Sequence, residues 1–167
     1  NKELQEGQIL DMVFEDRGDV SVDEYLTMIR KKTGVLIEAS VKIGGILADG
    51  TPQQLSALST YGLNTGVAFQ IQDDILDLTA EEEELGKPVG SDLRKGKKTL
   101  IVVHALENAG VDEKSKIKSV LGSQHASRED VREVVDVFRS LGSLDHARGM
   151  VKQLVDEAKK ALGVFED

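Results

Sequence analysis

In the segment YGLNTGVAFQIQDDILDL, Tyr61 to Leu78, the side chains Gln70, Asp73, Asp74 and Asp77 stand at i, i+3, i+4 and i+7. In a helix that spacing puts all four on one face. The rest of the circumference is nearly all apolar: Val67, Ala68, Phe69, Ile71, Ile75, Leu76 and Leu78, with Gln72 the exception. A helix apolar around most of its girth is normally buried, so the polar stripe is expected to line an internal cavity. Carboxylates about 5 Å apart at an effective dielectric of about 20 repel by about 3 kcal/mol per adjacent pair. Their place in the last turns of the helix adds a few tenths to about 1 kcal/mol from the helix dipole. An arbitrary acidic triplet on a helix is most often a solvated face. Here the apolar belt calls for neutralisation, by protonation or, better suited to three acids so placed, by a hard divalent cation such as Mg²⁺. A calcium loop of the EF-hand kind is excluded, because its alternating oxygen ligands and central glycine are absent.

A second set of candidates follows the stripe: Gly86-Lys87, Gly90, Asp92 and Gly96-Lys97-Lys98-Thr99. The glycines let backbone approach a ligand closely, and lysine is a movable point charge suited to a diphosphate. Alone, such a stretch is more often a solubilising loop. Lys32 and Thr33 adjoin Gly34 at an expected helix kink, where an ammonium and a hydroxyl could face a ligand together. With the acids, the two clusters supply what a metal-bridged diphosphate requires: carboxylates for the metal and ammonium groups for the phosphate oxygens.

The elements that must hold these residues read as helices throughout. Only two prolines occur, apolar residues recur at three-and-four spacing, and no convincing strand is found, so the fold class is all-α and residues 1–167 read as part of a single domain. Ser21 with Glu24 forms a capping box for a helix running to Leu47, kinked near Thr33-Gly34. Thr51, Pro52 and Gln54 open a second helix, expected to end near Gly62, and a third runs from Leu63 to Leu78. Between Glu81 and Lys98 the chain reads as a mobile surface loop, with Glu81 to Glu84 solvated. Helices resume at Thr99 and then over 112–121, 128–141 and 143–162, and Val134, Val137, Phe138, Leu141, Met150, Leu154 and Val155 read as core. His104, His125 and His146 show no metal-ligand spacing and read as structural or surface residues. Asn1 to Asp11 has helical character without a start signal and reads as the end of an element whose beginning is missing.

Composition narrows the function classes. The formal net charge of -9 argues against a broad basic face, and hence against nucleic acid as a partner. No apolar run approaches the roughly 18 residues of a membrane span. Zero cysteines exclude disulfides and thiolate metal sites, which fits a cytoplasmic location.

FQIQDDILD, Phe69 to Asp77, resembles the second aspartate-rich motif of trans-isoprenyl diphosphate synthases. Three further segments resemble signatures of the same family in the same order: EGQILD at Glu6 to Asp11, YLTMIRKKTGVL at Tyr25 to Leu36, and GKPVGSDLRKGKKTL at Gly86 to Leu100. The resemblance implies an isoprenoid-synthase-type helical bundle, here its carboxy-terminal part without the amino-terminal helices. It implies Mg²⁺ held by Asp73, Asp74 and Asp77, and Gln70 contacting the allylic substrate or its metal-bound diphosphate. Lys32, Thr33, Lys87 and Lys97 would engage diphosphate oxygens, Phe69 would lie near the isoprenoid chains, and Asp92 would order the lysine loop. The implied reaction ionises an allylic diphosphate, whose cation is attacked by the double bond of isopentenyl diphosphate, with a proton then lost to the departing diphosphate. The resemblance also implies a homodimer. The family's first DDxxD motif has no counterpart in the 167 residues, so little or no turnover by this chain alone is expected, unless the amino-terminal half is supplied. Two rivals are a non-catalytic subunit or interaction module of a heteromeric prenyl synthase, and a terpene cyclase; GKPVGSDLRKGKKT favours the chain-elongating synthases.

Overall fold

The computed structural model describes residues 2–80, 86 and 88–165. Among these the chain is helical, without a strand. The helices are α1 (Lys2–Asp16), α2 (Val22–Ile29), a π-helical turn (Arg30–Gly34), α3 (Val35–Leu47), α4 (Pro52–Thr79), a short α5 (Ser91–Arg94), α6 (Leu100–Asn108), α7 (Val111–Val120), α8 (Arg128–Ser140) and α9 (Ser143–Ala161), closed by a 3-10 turn (Leu162–Phe165).

Local signals set several helix starts. Ser21 accepts from the Glu24 amide while the Glu24 carboxylate accepts from the Ser21 amide; Thr51 with Gln54 and Ser127 with Asp130 repeat the arrangement. Thr99 caps α6 through the Val102 amide. The expected kink near Thr33-Gly34 is the π-helical turn, in which the Val35 amide reaches back to the Arg30 carbonyl. Such turns leave side chains out of α-helical phase and recur at functional sites.

Helix α4 is the axis of the molecule, with α3 along one side and α9 along another. The expected break near Gly62 does not occur: α4 runs unbroken for 28 residues. Helix propensity counted against glycine there, but tertiary packing overrides it. A Cβ on Gly62 would sit 2.7 Å from the Glu38 Cα, and one on Gly66 would sit 2.8 Å from the Gly34 Cα. Both glycines thus let α3 and the π turn close onto α4.

The core lies where α2, α4 and α6–α9 meet, with Tyr25, Ile71, Leu100, Ile117, Phe138 and Leu144 essentially sealed. Val134, Phe138 and Leu154 are buried, and Val137, Leu141, Met150 and Val155 pack against the core. His104 and His146 stack on each other with ring centroids 4.2 Å apart.

Two expectations are corrected. Residues 81–98 are not simply a surface loop: α5 forms within them, and Asp92 and Leu93 are buried. Glu81 to Glu84 lie outside the described residues, as does Lys87. The apolar belt of α4 is also incomplete as a buried surface, because Phe69 is 64% exposed and Leu76 40%. Among the described residues α3 has no buried residue, with Leu36, Ile43 and Leu47 exposed.

Candidate functional site

The site forms where α1, the π turn, α4 and the α5–α6 segment converge. Gly7 permits the first approach, since a Cβ there would lie 2.4 Å from the Lys32 amide nitrogen. One helical turn on from Gly7, Asp11 forms an ion pair with Lys32, and the Lys31 ammonium lies 2.8 Å from Glu6 on the same helix. From the π turn, the Thr33 hydroxyl donates to Gln70 Oε1 at 3.3 Å. Gln70 Nε2 in turn donates to Asp74 Oδ1 at 3.2 Å.

Asp74 is 5% exposed and also accepts from the Tyr25 hydroxyl, at 2.7 Å on Oδ2. Burial, the largest influence, pushes its carboxyl up to about 7, and the Asp92 carboxylate adds to the rise; the Tyr25 and Gln70 hydrogen bonds and Lys97 work the other way.

Asp77, only 1% exposed, is turned toward the following loop. Its carboxylate accepts from the Ser91 hydroxyl at 2.8 Å and the Asp92 amide at 3.1 Å, and its carbonyl accepts from the Gly90 amide at 2.7 Å. Asp77 thereby pins the start of α5 and fixes where Asp92 comes back. Asp73, Asp74 and Asp92 can each place a carboxylate oxygen within 4.8 Å of the others. Lys97 lies 2.9 Å from Asp92. Burial, the largest single influence, would lower the Lys97 ammonium, but its bond to Asp92 together with the attraction of the Asp92, Asp11 and Asp74 carboxylates holds it above the usual lysine range.

The structure thus brings together Lys32, Thr33, Gln70, Asp73, Asp74 and Lys97 of the residues singled out above. Asp77 stands beside them facing the loop, Phe69 lies exposed on α4 one turn before Asp73, and Lys87 is outside the described residues. Asp11 and Tyr25 were not singled out: each lay inside a quoted signature, but neither composition nor local spacing marks a partner 21 or 49 positions away. Asp92 was read as ordering the lysine loop, and its bond to Lys97 agrees, while its place beside Asp73 and Asp74 needs the chain reversal at Gly90.

The donor set fits a hard cation. Carboxylate oxygens of Asp73, Asp74 and Asp92 converge, as Mg²⁺ prefers, and burial disfavours the charged form of Asp74, which a bound cation would stabilise.

An all-helical fold with an acidic stripe beside lysines agrees with the isoprenyl-synthase resemblance of the motifs. Residues 1–138 match the polyprenyl synthetase family, and the chain belongs to it. It is 46% identical over 162 residues to the short chain isoprenyl diphosphate synthase of Methanothermobacter thermautotrophicus, covering 97% of this chain and 49% of that protein. It is 44% identical over 159 residues to the geranylgeranyl diphosphate synthase of Sulfolobus acidocaldarius, covering 95% of this chain and 48% of that protein. The geranylgeranyl pyrophosphate synthetase structure from Pyrococcus horikoshii superposes with a TM-score of 0.90 at 47% identity, over 96% of this chain and 49% of that one. A polyprenyl synthase from Caulobacter crescentus, solved with calcium and isoprenyl diphosphate, superposes with a TM-score of 0.88 at 32% identity, over 98% of this chain and 50% of that one. The chain spans about half the length of the curated relatives it matches. Among the described residues no helix is long and apolar enough to cross a membrane.

Proposed function

We propose that this chain supplies one wall of a prenyltransferase site, in which an allylic diphosphate condenses with isopentenyl diphosphate to give a longer trans-prenyl diphosphate of the short-chain class. The observation that carries this reading is the convergence of Asp73, Asp74 and Asp92 beside Lys97, at a pocket that Asp74 and Lys97 line together with Lys32 and Gln70. Asp73 and Asp74, with Asp92 beside them, would hold Mg²⁺, and the bound ion would supply positive charge for the diphosphate leaving group. Asp77 acts one step back, by fixing Asp92. Lys32, Lys97 and, from the loop, Lys87 would meet phosphate oxygens, and the Thr33 hydroxyl would add a donor. Gln70 would hold Asp74 on one side and the substrate's diphosphate region on the other. Exposed apolar residues on α1, α3 and α4, among them Ile9, Met12, Leu36, Leu47 and Phe69, support a reading in which these surfaces are covered in the working enzyme, by the remainder of the synthase fold and a second subunit.

The 167 residues contain one DDxxD pattern, so the chain alone should turn over little or nothing. Fusing it behind the amino-terminal half of the Methanothermobacter synthase tests the assignment. The chimera should make prenyl diphosphates from dimethylallyl and isopentenyl diphosphates with Mg²⁺, and lose that activity on Asp73→Ala. A folded, dimeric chimera without product would count against catalysis and for a non-catalytic subunit.

A further inference from the structure

Tyr25 is among the largest fully buried side chains, 1% exposed, and borders the site pocket with Met28 and Ile29. A buried phenol needs a partner for its hydroxyl, and the nearest apolar walls offer none. The hydroxyl donates to Asp74 Oδ2 at 2.7 Å. An ionised carboxylate can only accept, so Tyr25 is the donor of that bond.

The other carboxylate oxygen of Asp74 is held by Gln70, which is itself held by Thr33. Each carboxylate oxygen has two acceptor directions, so one bond on each leaves capacity facing Asp73 and Asp92. The kind of donor also matters. The nearby lysines are committed elsewhere, Lys32 to Asp11 and Lys97 to Asp92. A lysine paired directly with Asp74 would cancel the charge a cation needs; a phenol orients the carboxylate and leaves that charge in place.

We propose that Tyr25 is a positioning residue, whose hydroxyl holds Asp74 in the rotamer that presents its carboxylate to a divalent cation shared with Asp73 and Asp92. The inference rests on the metal reading given under Proposed function. Donors that orient a metal ligand from behind commonly contribute 10- to 100-fold in metal affinity. Tyr25→Phe removes one oxygen atom and keeps the ring that fills the core.

The test uses the 167-residue chain with Mn²⁺ as a paramagnetic probe and inorganic pyrophosphate as the anion, free Mn²⁺ being read by electron paramagnetic resonance. The wild type should bind Mn²⁺ more tightly than Asp74→Asn, and Tyr25→Phe should lose roughly 10- to 100-fold in affinity. Equal affinity of Tyr25→Phe and wild type overturns the Tyr25 role while leaving the metal site standing. Equal affinity of wild type and Asp74→Asn overturns both. A second measurement keeps the hydroxyl and so does not depend on the folding of Tyr25→Phe. The chain has two tyrosines and no tryptophan, so in Tyr61→Phe the tyrosine emission belongs to Tyr25 alone. Saturable change of that emission on adding Mg²⁺ and pyrophosphate is expected, because the carboxylate that accepts its proton becomes a ligand; emission indifferent to Mg²⁺ overturns the proposal.

Discussion

Asp74 offers the sharpest test of the electrostatic reading, through its replacement by asparagine. The side chain is 5% exposed and its carboxyl is pushed up to about 7 from 3.8, chiefly by burial. The sign follows from where each state ionises. Below pH 3.8 the carboxyl is protonated in both states and contributes nothing; between 3.8 and about 7 the unfolded chain releases a proton that the folded chain keeps. Stability is therefore lost as pH rises through that window, and the full deficit, on the order of 4 kcal/mol, is present above it. Asparagine has the same shape, can still accept from Tyr25 and meet Gln70, and cannot ionise. Acids elsewhere, such as Glu24, Asp19 and Asp130, titrate in the opposite sense, because their hydrogen-bonded partners hold them below the usual range. The informative quantity is thus the difference between the two proteins. Urea unfolding of both, without divalent ions, should show Asp74→Asn gaining on the wild type from about pH 4 to about pH 7 and holding a lead of up to about 4 kcal/mol beyond. Excess Mg²⁺ and pyrophosphate at alkaline pH should stabilise the wild type and narrow the lead. Parallel stability curves for the two proteins would refute the claim that Asp74 is a strained, desolvated acid.

Gly66→Ala should destabilise the chain by about 1–3 kcal/mol in urea unfolding, since the added methyl would meet Gly34 backbone rather than a flexible side-chain tip. Ser21→Ala should cost about 1 kcal/mol in the same assay by removing one half of the capping box that starts the helix bearing Tyr25. Lys97→Met should weaken calorimetric binding of Mg²⁺-pyrophosphate by more than tenfold, because it removes the ammonium proposed to meet the phosphate oxygens. In a double-mutant cycle on the same binding, Thr33→Val and Asp74→Asn should couple by about 0.5–3 kcal/mol, and Gln70→Leu should abolish the coupling, since Gln70 is the link between them.

What the sequence disclosed was mostly local. Capping boxes at Ser21, Thr51 and Ser127 span four residues each, and their chemistry does not wait for the fold. The stripe on α4 was equally legible, because helical spacing alone places Gln70, Asp73, Asp74 and Asp77 on one side. The division of labour within it was not. Asp77 faces a loop whose reversal at Gly90 brings Asp92 back beside Asp73 and Asp74, and only the folded chain shows that exchange. The apolar belt of α4 was read as buried, but Phe69 is exposed, because residue type alone does not say how much of a helix's girth its neighbours cover. Gly62 was misread as a stop because propensity weighs a glycine against alanine in isolation, whereas here a close neighbour excludes the methyl.

That misreading leads to why the site is where it is. Gly62, Gly66, Gln70 and Asp74 recur at intervals of four, so they form one continuous line down a single face of α4. In its upper half the line has no side chains, and α3 and the π turn close to backbone contact at Glu38 and Gly34. In its lower half the same line carries an amide and a carboxylate, and the helix that has just been drawn in delivers Thr33 to within hydrogen-bond range of Gln70. Gly7 repeats the device on α1, one turn before Asp11, against the backbone of Lys32. With the backbones in close approach, Thr33 comes within reach of Gln70 and Asp11 within reach of Lys32. The glycines set that approach, so a methyl at Gly66 should disturb the Thr33–Gln70–Asp74 chain without touching any of its members.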